Sequence, residues 1–345
     1  MPTKTTHIAV MRLSAMGDVA MTVPVLRALV SQHPNVRLTV VSRAFFEPFF
    51  DGIPNVSFFA FDDKNRHKGL RGLLQLYSDL KKQRIDAFAD LHNVLRSKIV
   101  RNLFLVSGKK VAAVDKGRRE KKALTRAENK IFEPVTPMVA RHQLVFEQLG
   151  FPVDLNRPEF PAPQLPDTQI REFTGIKDGI WIGVAPFAQY ASKVYPQDLM
   201  QQVIDQLAQK SRYKIFLFGG KSEIPVLEAF SAGKHNVVNM AGKMNLRQEL
   251  QLISNLDVML SMDSGNAHIA AMLGVKTVTL WGATHPFAGF SPFGQPMSNA
   301  ITSNRTQYPK LPTSVYGNKK VEGYENAMRS IAPAAVVGKI MELVG

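Results

Sequence analysis

Through the first 160 residues, short apolar runs alternate with stretches whose apolar positions recur every three or four residues. The runs at 7–13, 36–42, 56–61, 85–91 and 110–114 have strand length and are rich in Val, Ile or Phe, the pattern of strands buried on both faces. Between them, 19–32, 70–83 and 95–106 carry the spacing of amphipathic helices, and 137–149 reads as a closing helix stopped by Gly150. Such alternation predicts a parallel sheet with helices on both faces.

Residues 151–178 hold Pro152, Pro158, Pro161, Pro163 and Pro166 with little periodicity and read as a linker. A second series follows. Strands are predicted at 180–185, 213–218, 237–239, 258–261 and 277–281, helices at 197–208, 224–230, 246–254 and 267–273, irregular coil over 293–324 and a last helix at 334–343. The expected organisation is α/β throughout, with one Rossmann-like domain over 1–160, a second over 161–345, and a cleft between them.

Composition narrows the classes. With 45% hydrophobic and 21% charged residues in 345, the chain can build a sizeable core, unlike disordered or fibrous sequences. It has no cysteine, which excludes disulfide scaffolds, thiolate metal sites and cysteine nucleophiles and fits a reducing compartment. Arg12 interrupts the one apolar run near the N-terminus, and no stretch of about 18 apolar residues occurs. A cytoplasmic protein is expected, peripheral on the inner face of the cytoplasmic membrane.

Charge is unevenly placed. Residues 1–160 carry 26 Lys and Arg against 15 Asp and Glu, net +11, and the remaining residues 17 against 13, net +4. The first half is therefore expected to meet the anionic partner. The densest cluster, Lys109, Lys110, Lys116, Arg118, Arg119, Lys121 and Lys122, lacks apolar periodicity and reads as a basic loop, either a solvated face or a site for anions.

The motifs exclude as much as they suggest. The first turn, Leu13-Ser14-Ala15-Met16-Gly17-Asp18, lacks the G-x-G-x-x-G of dinucleotide binding, and Gly219-Gly220-Lys221-Ser222 lacks the earlier glycine of a P-loop. No D-x-D pair and no H-x-x-x-H spacing occurs, so no metal and no cofactor are expected. Two strand-to-helix turns remain. At Gly17-Asp18 a carboxylate lies at the mouth of a helix, where it can be a helix cap or a proton acceptor. At Asp263-Ser264-Gly265-Asn266-Ala267-His268, Ser264 can cap and the amides of Asn266 and Ala267 can hold a phosphate. Asp263 and His268 could equally be structural links.

Read together, these turns resemble a known family. Arg12 to Val19 followed by Thr22-Val23-Pro24-Val25-Leu26-Arg27-Ala28-Leu29, then Asp90 to Ser97, Lys193-Val194-Tyr195-Pro196, Phe218-Gly219-Gly220 with Glu223, and Met262 to Ala271 through Leu280-Trp281-Gly282-Ala283-Thr284 are similar, in order, to motifs of the ADP-heptose:lipopolysaccharide heptosyltransferases, glycosyltransferase family 9. The resemblance implies a metal-independent, inverting GT-B enzyme. It would move a heptose or related sugar from a nucleoside diphosphate donor, ADP-heptose, to a lipid-linked, anionic lipopolysaccharide core precursor.

The resemblance also implies roles: Asp18 as general base and Lys193 as the cation on the leaving diphosphate; Glu223, Met244, Asp263, Ser264, Gly265, Asn266, Ala267 and His268 on the donor, with Glu223 at the ribose and Met244 against the base; Gly17, Arg96 and His142 on the acceptor. The chain departs from the pattern at Pro186-Phe187-Ala188-Gln189, where a small hydroxyl is usual, and at Asn266, where proline is usual. These changes bear on the donor sugar. Two rival readings are a non-catalytic basic module binding nucleic acid or anionic lipid, and a nucleotide-sugar epimerase. No aromatic-basic RNP pattern is present, so no nucleic acid is expected.

Overall fold

In the computed structural model, which describes residues 5–345, the first apolar run becomes the central strand of a sheet. Strand β1 (Thr6–Met11), whose last four residues are buried, leads through α1 (Met16–Ala20) and α2 (Val23–Gln32) to β2 (Val36–Ser42). Then come β3 (Val56–Ala60), α3 (Gly69–Lys82), β4 (Ala87–Asp90), α4 (Leu95–Val106) and β5 (Lys110–Ala113). All five strands are parallel, in the order β3-β2-β1-β4-β5. Met11 and Leu13 pack with Leu76, Phe88, Val100 and Phe104 beneath the sheet.

The single helix expected over 19–32 is two helices. Pro24 lies in the first turn of α2, where its missing N–H goes unused, and the Thr22 hydroxyl donates to the Val19 carbonyl at 2.7 Å where the chain turns between them.

Beyond β5 lie α5 (Arg118–Thr125) and α6 (Met138–Leu149). The Gly150 that ends α6 has φ 96°, a conformation that favours glycine. The segment 109–122 is thus not a loop: it holds β5 and the start of α5. The first five residues of α5 are charged, and the helix forms because one face, Lys121, Leu124 and Thr125, is buried. Lys121 covers the Phe290 ring at 4.1 Å.

A second sheet follows α7 (Thr168–Thr174), which interrupts the expected linker and starts where the Asp167 carboxylate accepts from the Ile170 amide. The series is β6 (Ile180–Ala185), α8 (Gln197–Ala208), β7 (Tyr213–Leu217), α9 (Ile224–Ser231), β8 (Val237–Asn239), α10 (Leu246–Ile253), β9 (Val258–Met262), α11 (Gly265–Met272), β10 (Lys276–Trp281), β11 (Ala300–Thr302) and α12 (Pro333–Val344). Its strands are parallel in the order β11-β10-β9-β6-β7-β8. Strand β11, inside the stretch expected to be coil, pairs Ala300 with Thr279 of β10; three residues are too few to show a period. Ile182, Val184, Ile204, Ile215, Leu260 and Ile340 belong to the core here.

The chain divides into two compact units. One comprises residues up to Arg118 with Thr136–Glu159, the other Arg119–Val135 with Phe160–Gly345. The division differs from a boundary near 160 by the excursion 119–135. That segment is fixed in the second unit by Leu124 and Val135 packing with Ala288, Phe132, Phe287 and Phe290, and by Lys130 Nζ donating to the Leu124 and Pro312 carbonyls at 2.9 and 2.7 Å. Among the described residues no helix is long and apolar enough to cross a membrane.

Each sheet reverses direction once: β1 and β4 are neighbours although β2 and β3 intervene in sequence, and β6 and β9 likewise. In open parallel sheets, ligands bind beyond the carboxyl ends of the strands at such a switch point. The register Met11–Asp90 in one sheet and Ala185–Ser261 in the other marks the two places.

Candidate active site

At the first switch point β1 runs into Arg12 and β4 into Leu91-His92-Asn93. Arg12 is buried, and its guanidinium donates to the Ser14 and Leu91 carbonyls, each at 2.8 Å. With two carbonyls fixing it, the remaining nitrogen reaches Asp18 Oδ1 at 2.7 Å. Asp18 itself is not the N-cap. Ala15 is, and Asp18 stands at the third helical position, its Oδ2 accepting from the Ala15 amide at 3.3 Å. The carboxylate is 27% exposed.

The facing loop is shaped by Asp90, fully buried at the end of β4. Its Oδ1 accepts from the amides of His92 and Asn93 at 3.0 and 2.6 Å, and its Oδ2 from Arg101 at 3.2 Å. Asn93 takes φ 48°, which asparagine tolerates better than most residues. The turn presents His92 Nδ1 as acceptor of the Leu13 amide at 3.3 Å, leaving Nε2 as the donor of a neutral ring. Burial, then the charges of Arg12, Lys116 and Arg43, opposed by Asp18, push His92 down to about 3. Burial and the nearby Arg12 and Arg118 also lower Lys116. The Asp18 carboxylate therefore sits among several positive charges.

Gly17 lies in the first turn of α1, next to Asp18. Arg96, in the exposed first turn of α4, shares Asp63 with Arg43 at 3.2 and 3.0 Å; pairs this exposed contribute little and can be exchanged for another anion. His142, expected on the acceptor, has no accessible surface, because it falls on the inner side of α6 with Val145 and Phe146. Arg12 and His92 carry no individual role in the sequence reading, and Lys116 only that of a member of the basic cluster; a cation at the end of a central strand is the available signal.

At the second switch point the donor-side candidates all follow strand ends. Lys193 comes after β6, Glu223 after β7, Met244 after β8, and Asp263 to His268 after β9. Lys193 Nζ meets Asp263 Oδ2 at 3.2 Å, with both side chains largely buried. The Lys193 stem lies on Gly317, φ 84°, where an added Cβ would come within 2.6 Å of Lys193 Cγ. The neighbouring Ser192 hydroxyl donates to the Gly317 carbonyl at 2.6 Å. Backbone and ion pair thus hold the ammonium in place.

Ser264 occupies the N-cap of α11 but does not cap it: its hydroxyl is 3.0 Å from that of Ser261. The N-cap side chain makes no hydrogen bond to the first-turn amides of α11, and amides at a helix opening favour an anion. His268 is buried within α11. Glu223 Oε2 accepts from the Gly220 amide at 2.6 Å, and a Cβ on Gly219 would stand 2.8 Å from that oxygen. Met244 is half-buried directly before Asn245, which caps α10 by accepting from the Gln248 amide. Among the described residues no group of three or more His, Cys, Asp or Glu side chains is placed to hold a metal ion.

Comparison with known proteins gives a consistent result. A family model described as glycosyltransferase family 9 (heptosyltransferase) matches residues 73–322. The chain is 26% identical over 341 residues to the lipopolysaccharide core heptosyltransferase OpsX of Haemophilus influenzae, covering 97% of this chain and 96% of that protein. Among solved structures, a family 9 glycosyl transferase from Veillonella parvula superposes with TM-score 0.77 at 19% identity, covering 100% of this chain and 98% of that one. Escherichia coli heptosyltransferase WaaC with ADP-2-deoxy-2-fluoro heptose superposes with TM-score 0.67 at 17% identity, over 98% and 99%. The two doubly wound units are those of the GT-B fold expected from the sequence.

Proposed function

Because the chain belongs to glycosyltransferase family 9, we propose that it transfers a heptose, with inversion, from ADP-heptose to a lipid-linked lipopolysaccharide core precursor at the cytoplasmic membrane face. Asp18 takes the proton from the acceptor hydroxyl as its oxygen attacks the anomeric carbon; the bond from that carbon to the diphosphate oxygen breaks. Lys193 and the amides at the start of α11 then meet the charge growing on the leaving ADP, fixed donors that need no rearrangement. Asp263 orients Lys193, Glu223 takes a ribose hydroxyl and Met244 lies against the base.

On the acceptor side, Arg12 positions Asp18 and neutral His92 supplies an Nε2 donor. Arg96, Arg43 and Lys116 attract carboxylates or phosphates of the core saccharide, in keeping with the net +11 of residues 1–160. Gly17 lets the acceptor approach the helix start. No step calls for a metal ion.

The observation that carries this reading is the position of Asp18 and of the Lys193–Asp263 pair, each just past the carboxyl end of a strand at a switch point. A panel of sugar nucleotides assayed for release of nucleoside diphosphate, with and without a phosphorylated core acceptor and with and without EDTA, tests it. Acceptor-dependent ADP release from ADP-heptose, indifferent to EDTA, is expected. Acceptor-independent epimerisation, or a strict divalent-cation requirement, would overturn it.

A further inference from the structure

Helices α3 and α4 lie side by side in the first unit, and their outward side chains are not those of a solvated surface. Inward, α3 buries Leu73, Leu76 and Leu80, and α4 buries Val100 and Phe104. Outward, Leu70, Leu74, Leu95, Leu105 and Val106 are 64, 47, 75, 55 and 88% exposed. Leu70, Leu74 and Tyr77 follow one another at helical spacing along α3, as Leu95, Ile99, Leu103 and Val106 do along α4. Between the two lies an open groove lined by Tyr77, Ile99, Leu103 and Val106 with Asn102 and Ser107. Exposed aliphatic residues gathered like this mark an interaction surface.

The charge around the groove identifies the partner. Arg71, Lys81, Lys82, Arg96 and Lys98 are exposed on the same two helices, and Lys109 and Lys110 follow α4. The single acidic residue of the two helices, Asp79, is 9% exposed and bound to Arg66 at 2.7 Å, so no carboxylate faces outward. We infer that this face docks on an anionic lipid bilayer, the aliphatic tips entering the headgroup boundary and the lysines reaching lipid phosphates from its margin. A second copy of the chain fits less well, since a two-fold contact would press the same basic margin against itself. The inference rests on the lipid-linked acceptor proposed above and adds the surface that brings the enzyme to it: α4 starts two residues after Asn93, in the loop that carries His92.

The full chain is titrated with vesicles of phosphatidylglycerol and phosphatidylcholine, and of phosphatidylcholine alone, alongside Leu74→Glu/Leu105→Glu/Val106→Glu. Wild type should bind the anionic vesicles and release as salt rises, and the variant should bind at least about tenfold more weakly. Its melting temperature and its transfer to a soluble, delipidated acceptor should be unchanged. Should the triple variant unfold, Val106→Glu alone, at the most exposed of the five positions, must still weaken binding. Equal vesicle binding by variant and wild type, equal wild-type affinity for neutral vesicles, or a wild-type dimer that the variant abolishes would each overturn the inference. If no sugar transfer is found while the variant loses vesicle binding, the reaction is wrong and the docking surface stands.

Discussion

The two switch points occupy the same place in two sheets of the same topology, yet their electrostatics are arranged in opposite senses. In the first unit the proposed working group is the anion: Asp18 is partly exposed, and buried Arg12, itself fixed by two carbonyls, orients it. In the second the proposed working group is the cation: Lys193 is paired with Asp263 and seated on Gly317, beside a helix start whose N-cap side chain does not cap it. The fold therefore supplies only a location. Which charge is left available depends on which partner the surrounding backbone immobilises.

Asp18→Asn should have the greatest effect on the reaction. The amide keeps shape and a contact to the Ala15 N–H but cannot take a proton, so transfer should fall by about 10²–10⁴-fold with donor binding retained; near-wild-type turnover would remove Asp18 from the chemistry. Lys193→Ala should act on the other partner. Loss of a charge-assisted hydrogen bond to the diphosphate corresponds to about 1.5–3 kcal/mol, read as a raised donor KM with a lowered kcat, whereas the acceptor KM should not move.

Each unit also holds a histidine kept neutral, and these set the response to acid. His285 is buried and held down to about 4 by burial and then by Arg305, as His92 is held to about 3. Unfolded histidine binds a proton near 6.5, so the unfolded chain gains protons first. The stability these rings allow is complete above about pH 6.5 and is lost as pH falls toward 4. For His285 the loss should reach about 2 kcal/mol by pH 5, and His285→Gln should flatten that part of a melting curve against pH. A melting temperature constant from pH 7 to pH 5 would contradict it.

The smallest effect separates two lysines five positions apart. Lys121→Gln removes a buried cation from the Phe290 ring and should lower stability by about 1 kcal/mol with kinetics unaltered. Lys116→Gln should do the reverse, raising the acceptor KM without changing the melt. Similar behaviour of the two variants would show that one basic surface, rather than two different units, holds this stretch.

Strand and helix alternation was legible almost element by element because each element of the two sheets buries a face. Strands β2, β6 and β8 and helices α4 and α8 have the bounds expected from the run or period alone. Helix α5 was not legible: its buried face includes a lysine whose stem and ring contact are apolar, although its residue type is not. The candidate site was legible where a motif ties it to a strand end, as at Asp18 and Asp263. It was not where the role comes from a residue far along the chain. His92 is kept neutral by burial and then by Arg12, Lys116 and Arg43, and Lys193 is seated by Gly317; no local pattern announces either. His142 illustrates the converse, a residue chosen for its type and its likeness to the family that packing places inside.

The excursion 119–135 has a consequence for how such a protein can be inherited and rearranged. The chain passes between its units three times, near 118, 135 and 159, so the second unit is not one stretch of gene. A segment cut at 160 would carry Ala288, Phe287 and Phe290 without Leu124, Phe132 and Val135 that cover them. A single recombination event at the apparent linker therefore exchanges a damaged half. New pairings of donor and acceptor specificity must arise by substitution within the loops at the strand ends, or by exchanges that carry the strap along with the sheet it belongs to.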